Sequence, residues 1–139
     1  MILRFLKVII ILFIPEITLA KTKFFQDGLN LFNDNKFEEA KFKFEQDIVV
    51  NPKSEMSYLY LSKIFKNLKK KKLEEQNLLT VILLNPQNEE AILYLARLKL
   101  EASDYKKSKE LNNRLKIICK IYCEQSNKLK IEIENLSKK

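Results

Sequence analysis

The sequence predicts an all-α chain made by repeating one helix–turn–helix unit, and three observations carry that prediction. One glycine, Gly28, and three prolines in 139 residues leave too little turn chemistry for a β-protein with many tight turns. Asn51-Pro52 and Asn85-Pro86 stand 34 residues apart, each closing a stretch of apolar-periodic sequence. Sliding the chain by 34 also aligns Gly28, Ser62 and Ala96, a column of small side chains that lets helix backbones approach closely.

The first element stands apart from that repeat. Residues 1–20 open with Arg4 and Lys7, run apolar from Val8 to Ile14, break at Pro15-Glu16 and end Thr18-Leu19-Ala20. A charged start, a short apolar run and a small-x-small exit are the marks of a secretory signal peptide, with cleavage expected after Ala20. The alternative is a retained membrane anchor, although Pro15-Glu16 interrupts a run that needs ~20 apolar residues to span. No cysteine follows the apolar run, which argues against a bacterial lipoprotein. The expectation is an exported, periplasmic chain starting at Lys21.

From there the period organises the sequence. Phe24, Tyr58 and Ile92 form a column of large residues, and Leu31 aligns with Phe65. Ala40, Glu74 and Ser108 align, as do Phe44 with Leu78, and Asp47 with Val81 and Leu115. Within the second unit, Tyr58, Leu61, Phe65 and Leu68 make one apolar stripe, and Leu78, Val81, Ile82 and Leu84 another. These stripes predict first helices at about 22–33, 55–68 and 89–102 and second helices at about 37–50, 71–84 and 105–118. A residue before proline is pushed out of the α region, which ends the second helices at Asn51 and Asn85.

This pattern resembles the tetratricopeptide repeat (TPR), a 34-residue helix–turn–helix unit. The first repeat (21–54) matches it with Phe24, Gly28, Leu31, Phe37, Ala40, Phe44 and Pro52, and Asn35-Lys36-Phe37-Glu38-Glu39-Ala40 follows the family's inter-helix turn. Asp47 departs from it, standing where a small apolar residue is usual. The second repeat (55–88) keeps Tyr58, Ser62, Phe65, Leu78 and Pro86 but has Glu74 in place of alanine; the third (89–122) keeps Ala96, Tyr105 and Ser108 but has Lys120 in place of proline. The resemblance implies an α-solenoid of about three repeats over 21–122, similar to an exported bacterial protein of that family.

A repeat cannot bury its apolar face alone, so a cap is expected over 123–139. Leu129, Ile133 and Leu136 stand at helical spacing, with Ser126 or Asn127 as the cap residue of a helix at 126–139. Cys119 and Cys123 straddle the turn into that helix, Cys119 falling in the column of Asn51 and Asn85. Two readings stay open. One is a disulfide stapling the cap, which an oxidising compartment favours; the other is a pair of buried thiols.

Composition narrows the function. Without histidine there is no Ser–His or Cys–His pair and no imidazole ligand, and a single glycine allows no phosphate-cradling loop. Two thiolates alone leave a zinc site incomplete. No catalytic constellation, metal or cofactor is expected. The net charge of +8 comes from 23 Lys and only three Arg, beside 12 Asn and 15 Ile, a bias that an A/T-rich genome supplies. Nucleic-acid readers prefer Arg, so a cytoplasmic nucleic-acid-binding helical protein is the weaker alternative. The run Lys69-Lys70-Lys71-Lys72 is read as a solvated turn, or, in an anchored chain, as a face toward anionic lipid.

The resemblance implies a non-enzymatic adaptor that takes a protein or peptide in its concave groove. Carried over position by position, that groove includes Phe25, Asn33, Lys63, Lys66, Asn67 and Arg97. Lys63, Lys66 and Arg97 are expected to form a basic cluster, with Asn33 and Asn67 as amide donors to an acidic or extended peptide. Phe25 reads equally well as core, and the lysines as a solvated face. Membrane contact is expected only if residues 1–20 are retained.

Overall fold

The computed structural model describes residues 22–138; the predicted signal segment 1–20 lies outside them. Seven helices follow one another, α1 (Lys23–Asn33), α2 (Phe37–Val50), α3 (Glu55–Asn67), α4 (Lys71–Leu84), α5 (Glu89–Glu101), α6 (Tyr105–Ile118) and α7 (Cys123–Leu136), with no strand among the described residues. The packing is sequential. α1 pairs with α2, α3 with α4 and α5 with α6, each pair leans on the next, and α5 also meets α7. It is an all-α solenoid of three helical pairs plus a final helix.

The turn inside each pair is the same object three times. Asn35, Lys69 and Ser103, at 34-residue spacing, take φ of 60°, 56° and 59°. Behind each, the backbone closes the helix end in one pattern: Lys36 N–H reaches Leu31 O at 2.9 Å, Lys70 reaches Phe65 at 2.8 Å and Asp104 reaches Lys99 at 2.9 Å. This left-handed exit satisfies carbonyls the helix would leave open. None of the three residues is glycine, so each turn carries some backbone strain.

The turn between pairs is closed differently each time. In the first, Asp47, 1% exposed, accepts hydrogen bonds from Thr22 Oγ1 and Ser57 Oγ. In the second, Glu55 accepts from Nδ2 of Asn85 and Asn88, the former at 3.0 Å. In the third, Glu89 gathers the backbone N–H groups of Lys120, Ile121 and Tyr122 at 2.8, 3.0 and 2.9 Å. Burial pushes the Glu89 carboxyl up, but those three donors and Lys120 outweigh it and leave the group below the usual carboxylate range. Across that turn the sulfurs of Cys119, the C-cap of α6, and Cys123, the first residue of α7, are bonded, with Cα atoms 5.3 Å apart.

Two apolar clusters fill the stack. Phe25, Ala40, Phe44, Leu61, Ile64 and Phe65 form one, where Phe44 stacks on Tyr60 at 5.1 Å and Phe25 meets Phe44 edge-on at 5.6 Å. The larger cluster runs from Leu59, Leu78 and Val81 through Ile92 and Leu95 to Leu115, Leu129 and Ile133. A methyl group on Gly28 would come within 3.0 Å of the Phe44 ring, which is wholly buried. That close approach explains why the first repeat places its only glycine there.

One expectation of the fold needs correction, and one departure from the repeat pattern has a consequence. The last helix begins at Cys123, not 126, so Ser126 is not its cap. Ser126 is buried within α7, exchanging hydrogen bonds with Asn112: Asn112 Nδ2 donates to Ser126 O at 3.0 Å and Ser126 Oγ to Asn112 Oδ1 at 2.9 Å. Glu74, standing where alanine was expected, is 6% exposed. Burial raises its carboxyl above the ordinary value, Lys66 opposes that, and Glu101 adds to it.

Candidate functional site

The inner side of the array is where the first helices of successive pairs meet. Side chains run directly from α1 to α3, from α3 to α5 and from α5 to α7: Phe32 packs on Tyr60 at 5.1 Å, Lys63 Nζ lies 2.8 Å from Glu90, and Arg97 Nη1 lies 3.3 Å from Glu132. Position follows from helical phase. Tyr60, Lys63 and Asn67 stand at i, i+3 and i+7 on α3, so they share a face, and Tyr94 and Arg97 repeat that spacing on α5.

The six residues carried over from the sequence divide into three groups. Phe25 is 3% exposed and belongs to the core, so it offers a ligand no surface. Asn33 and Asn67 are exposed at the last turns of α1 and α3, and Asn67 Nδ2 donates to Lys63 O at 3.0 Å. The cations line up along the inner side but do not stand as a bare basic cluster. Lys63 and Arg97 each pair with an acid on the next helix of that face, Glu90 and Glu132. Lys66 is exposed and holds its ammonium 5.1 Å from the centre of the Tyr94 ring, as Lys63 does 4.8 Å above Tyr60.

Glu90 is the electrostatic centre of this face. Burial, then the neighbouring Glu90 carboxylate, pushes the Tyr94 hydroxyl up to about 12. The same two causes, in the same order, raise Tyr122. Both phenols therefore stay neutral as hydrogen-bonding groups at any ordinary pH. Beside them a hollow of about 330 Å³ opens between the starts of α3, α5 and α7, walled by Met56, Leu59, Asn88, Glu90, Ile121 and Tyr122. The arrangement alternates cations, carboxylates and aromatic rings along one face. Such a surface can hold an extended chain by its backbone and its charged side chains. Among the described residues no three carboxylates or cysteines are placed to hold a metal ion.

Three features here were not anticipated from sequence: the pairing of Lys63 with Glu90, the pairing of Arg97 with Glu132, and the rings beneath the two lysines. The rings had a signal, since Tyr60 and Tyr94 stand 34 residues apart and form an aromatic column of their own. Glu90 also stands at a groove position of the third repeat, so its pairing with Lys63 had a signal, whereas Glu132 belongs to α7, outside the repeat, and its pairing with Arg97 had none.

No family model and no curated protein matches this sequence. Solved structures do. The first TPR domain of Spaghetti bound to the HSP90 peptide SRMEEVD is similar, with TM-score 0.73, 17% identity, and 82% of this chain and 90% of that one covered. The TPR2B domain of yeast Sti1 in its pHsp70 complex gives TM-score 0.74 at 12% identity over 80% and 93%. The Yersinia enterocolitica type III secretion chaperone SycD with a peptide of the translocator YopD gives 0.73 at 13% over 84% and 92%. The fold of this chain is therefore of the tetratricopeptide-repeat type.

Proposed function

We propose that this chain is a non-enzymatic scaffold, exported to the periplasm, that seats an extended peptide or protein segment along the inner side of α1, α3 and α5. The carrying observation is the line Tyr60, Lys63, Lys66, Tyr94 and Arg97, in which cations stand on or beside aromatic rings on one continuous face. Lys66 is exposed and pairs with no carboxylate among the ion pairs of the described residues, which makes it the first contact for an acidic side chain or a C-terminal carboxylate. Lys63 and Arg97 would exchange Glu90 and Glu132 for ligand carboxylates. That exchange makes binding modest and salt-sensitive. The peptides held by Spaghetti and SycD support the reading, and the Spaghetti ligand SRMEEVD is itself acidic.

The test starts from a displayed peptide library screened against the chain, followed by titration of a selected peptide. Lys63→Glu with Arg97→Glu is expected to weaken it at least about tenfold, the worth of one charge-assisted contact, with the helical circular dichroism unchanged. Unchanged affinity rejects the groove. Export has its own test in the intact mass of the expressed protein. A start at Lys21 supports the exported reading, and a retained Met1 supports an anchored one.

A further inference from the structure

A second repeat-spaced feature lies on the outer helices. Val49, Leu83 and Ile117 stand 34 residues apart, in the last turns of α2, α4 and α6, and are 81%, 80% and 85% exposed. Val50 beside them is 58% exposed. One exposed aliphatic needs no explanation, but the same position left bare in all three repeats makes a row along one end of the array.

The charge around the row is one-sided. The segments carrying it, 46–54, 80–88 and 114–122, hold the cations Lys53, Arg114, Lys116 and Lys120, against the exposed Glu45 one turn before Val49 and Asp47, which is buried on Thr22 and Ser57, so the excess charge at this end is positive. The acids opening the next helices at that end are all engaged. Glu55 is held by Asn85 and Asn88, Glu89 by three backbone N–H groups, Glu90 by Lys63 and Glu124 by Lys128. The chain also enters at this end. Thr22, the residue before α1, is bonded there to Asp47.

We infer that this end of the array docks on a bilayer surface containing anionic lipid, with Val49, Leu83 and Ile117 in the headgroup–acyl boundary and the four cations at the phosphates. Aliphatics flanked by basic residues bind anionic interfaces by adding apolar burial to charge attraction. Among the described residues no helix is long and apolar enough to cross a membrane. A second copy is the poorer occupant. Two such ends would oppose like charges, and a standard protein interface draws on about 20–30 residues a side. Docking by the outer helices leaves the peptide-binding face of α1, α3 and α5 open, and it does not depend on that reading.

The test uses the full chain with its disulfide intact and an environment-sensitive fluorophore on Leu83→Cys, Ile117→Cys or Lys70→Cys. Lys70 lies in the lysine run at the opposite end of the array. With phosphatidylglycerol-containing vesicles, the labels at 83 and 117 are expected to shift to the blue and brighten several-fold, and the label at 70 to stay water-like. Phosphatidylcholine vesicles are expected to give a much weaker response. Labels at 83 and 117 that stay water-like overturn the inference, whether the chain floats with the vesicles by another segment or does not bind. A shift at position 70 instead assigns the contact to the lysine run. A shift without vesicles that grows with protein concentration assigns the row to a second copy. Either result overturns it.

Discussion

The turns within helical pairs and the turns between pairs sit at opposite ends of the array and obey different rules. Asn35, Lys69 and Ser103 have unrelated side chains, yet all three adopt the same left-handed backbone and the same closing hydrogen bonds. Between pairs only the first two turns share a backbone path, Asn51 and Asn85 having nearly the same angles and Cys119 others, and the side chains that secure the turns change from a buried Asp47 to Glu55 with two asparagines, then to Glu89 with three amides and a disulfide. One end is specified by main-chain geometry and tolerates almost any residue at a small cost. The other is specified by polar side chains, so losing one strands its partners.

The largest effect is expected at Asp47. Asp47→Ala leaves Ser57, wholly buried, and Thr22 without their acceptor and is expected to cost about 2–3 kcal/mol in urea unfolding. Removing the donors as well, with Thr22→Val, Ser57→Ala and Asp47→Val, is expected to cost less than the single change. A single-variant loss below about 1 kcal/mol would erase the contrast between the two ends.

Next comes the third inter-pair turn. Cys119→Ser with Cys123→Ser is expected to remove about 2 kcal/mol, the chain-entropy value for so short a loop. The loss should be local. Amide exchange in α7 should speed up while α1–α4 keep their protection, because the stack couples only neighbours. Uniform loss across all seven helices would contradict that coupling.

Glu74 sits near the other end, in the first turn of α4. Its carboxyl holds a proton more tightly folded than unfolded. It therefore stabilises below the unfolded value, ~4.3, and that contribution is lost as pH rises through the raised folded value. At pH 7 the charged form is a cost, so Glu74→Ala should stabilise by about 1 kcal/mol, an advantage that shrinks as pH falls toward 4. Equal gains at both pH values would rule out burial of charge as the cause.

The smallest changes are at the left-handed positions. Ser103→Gly and Lys69→Gly are expected to gain about 0.5–1 kcal/mol each in thermal unfolding, and Asn35→Gly less, since asparagine already tolerates that conformation.

What could be read from the sequence was whatever repeats. Six helices fall within a residue of their expected bounds, because apolar phase and the Asn-Pro stops are local signals. Pairing across the fold was not legible. Ser126 looks like a cap residue until Asn112, 14 residues away, claims both its groups. Lys63 and Arg97 look like free cations until packing brings Glu90 and Glu132 to them. The columns at Asn35, Tyr60 and Val49 were present in the sequence all along. Those of Tyr60 and Val49 fall outside the positions that define the repeat, and the columns of Asn35 and Val49 mark surface rather than core.

The neighbour-to-neighbour packing described for the seven helices has a kinetic side. Contacts that link each helix to the next close short loops, so little chain entropy must be surrendered before a pair holds. α1 and α2 can join as soon as residue 50 is available, and each later helix adds to a surface already formed. A chain delivered N-terminus first, from a ribosome or through a secretion pore, can therefore fold as it arrives, leaving one unpaired helix exposed at a time until α7 closes the stack.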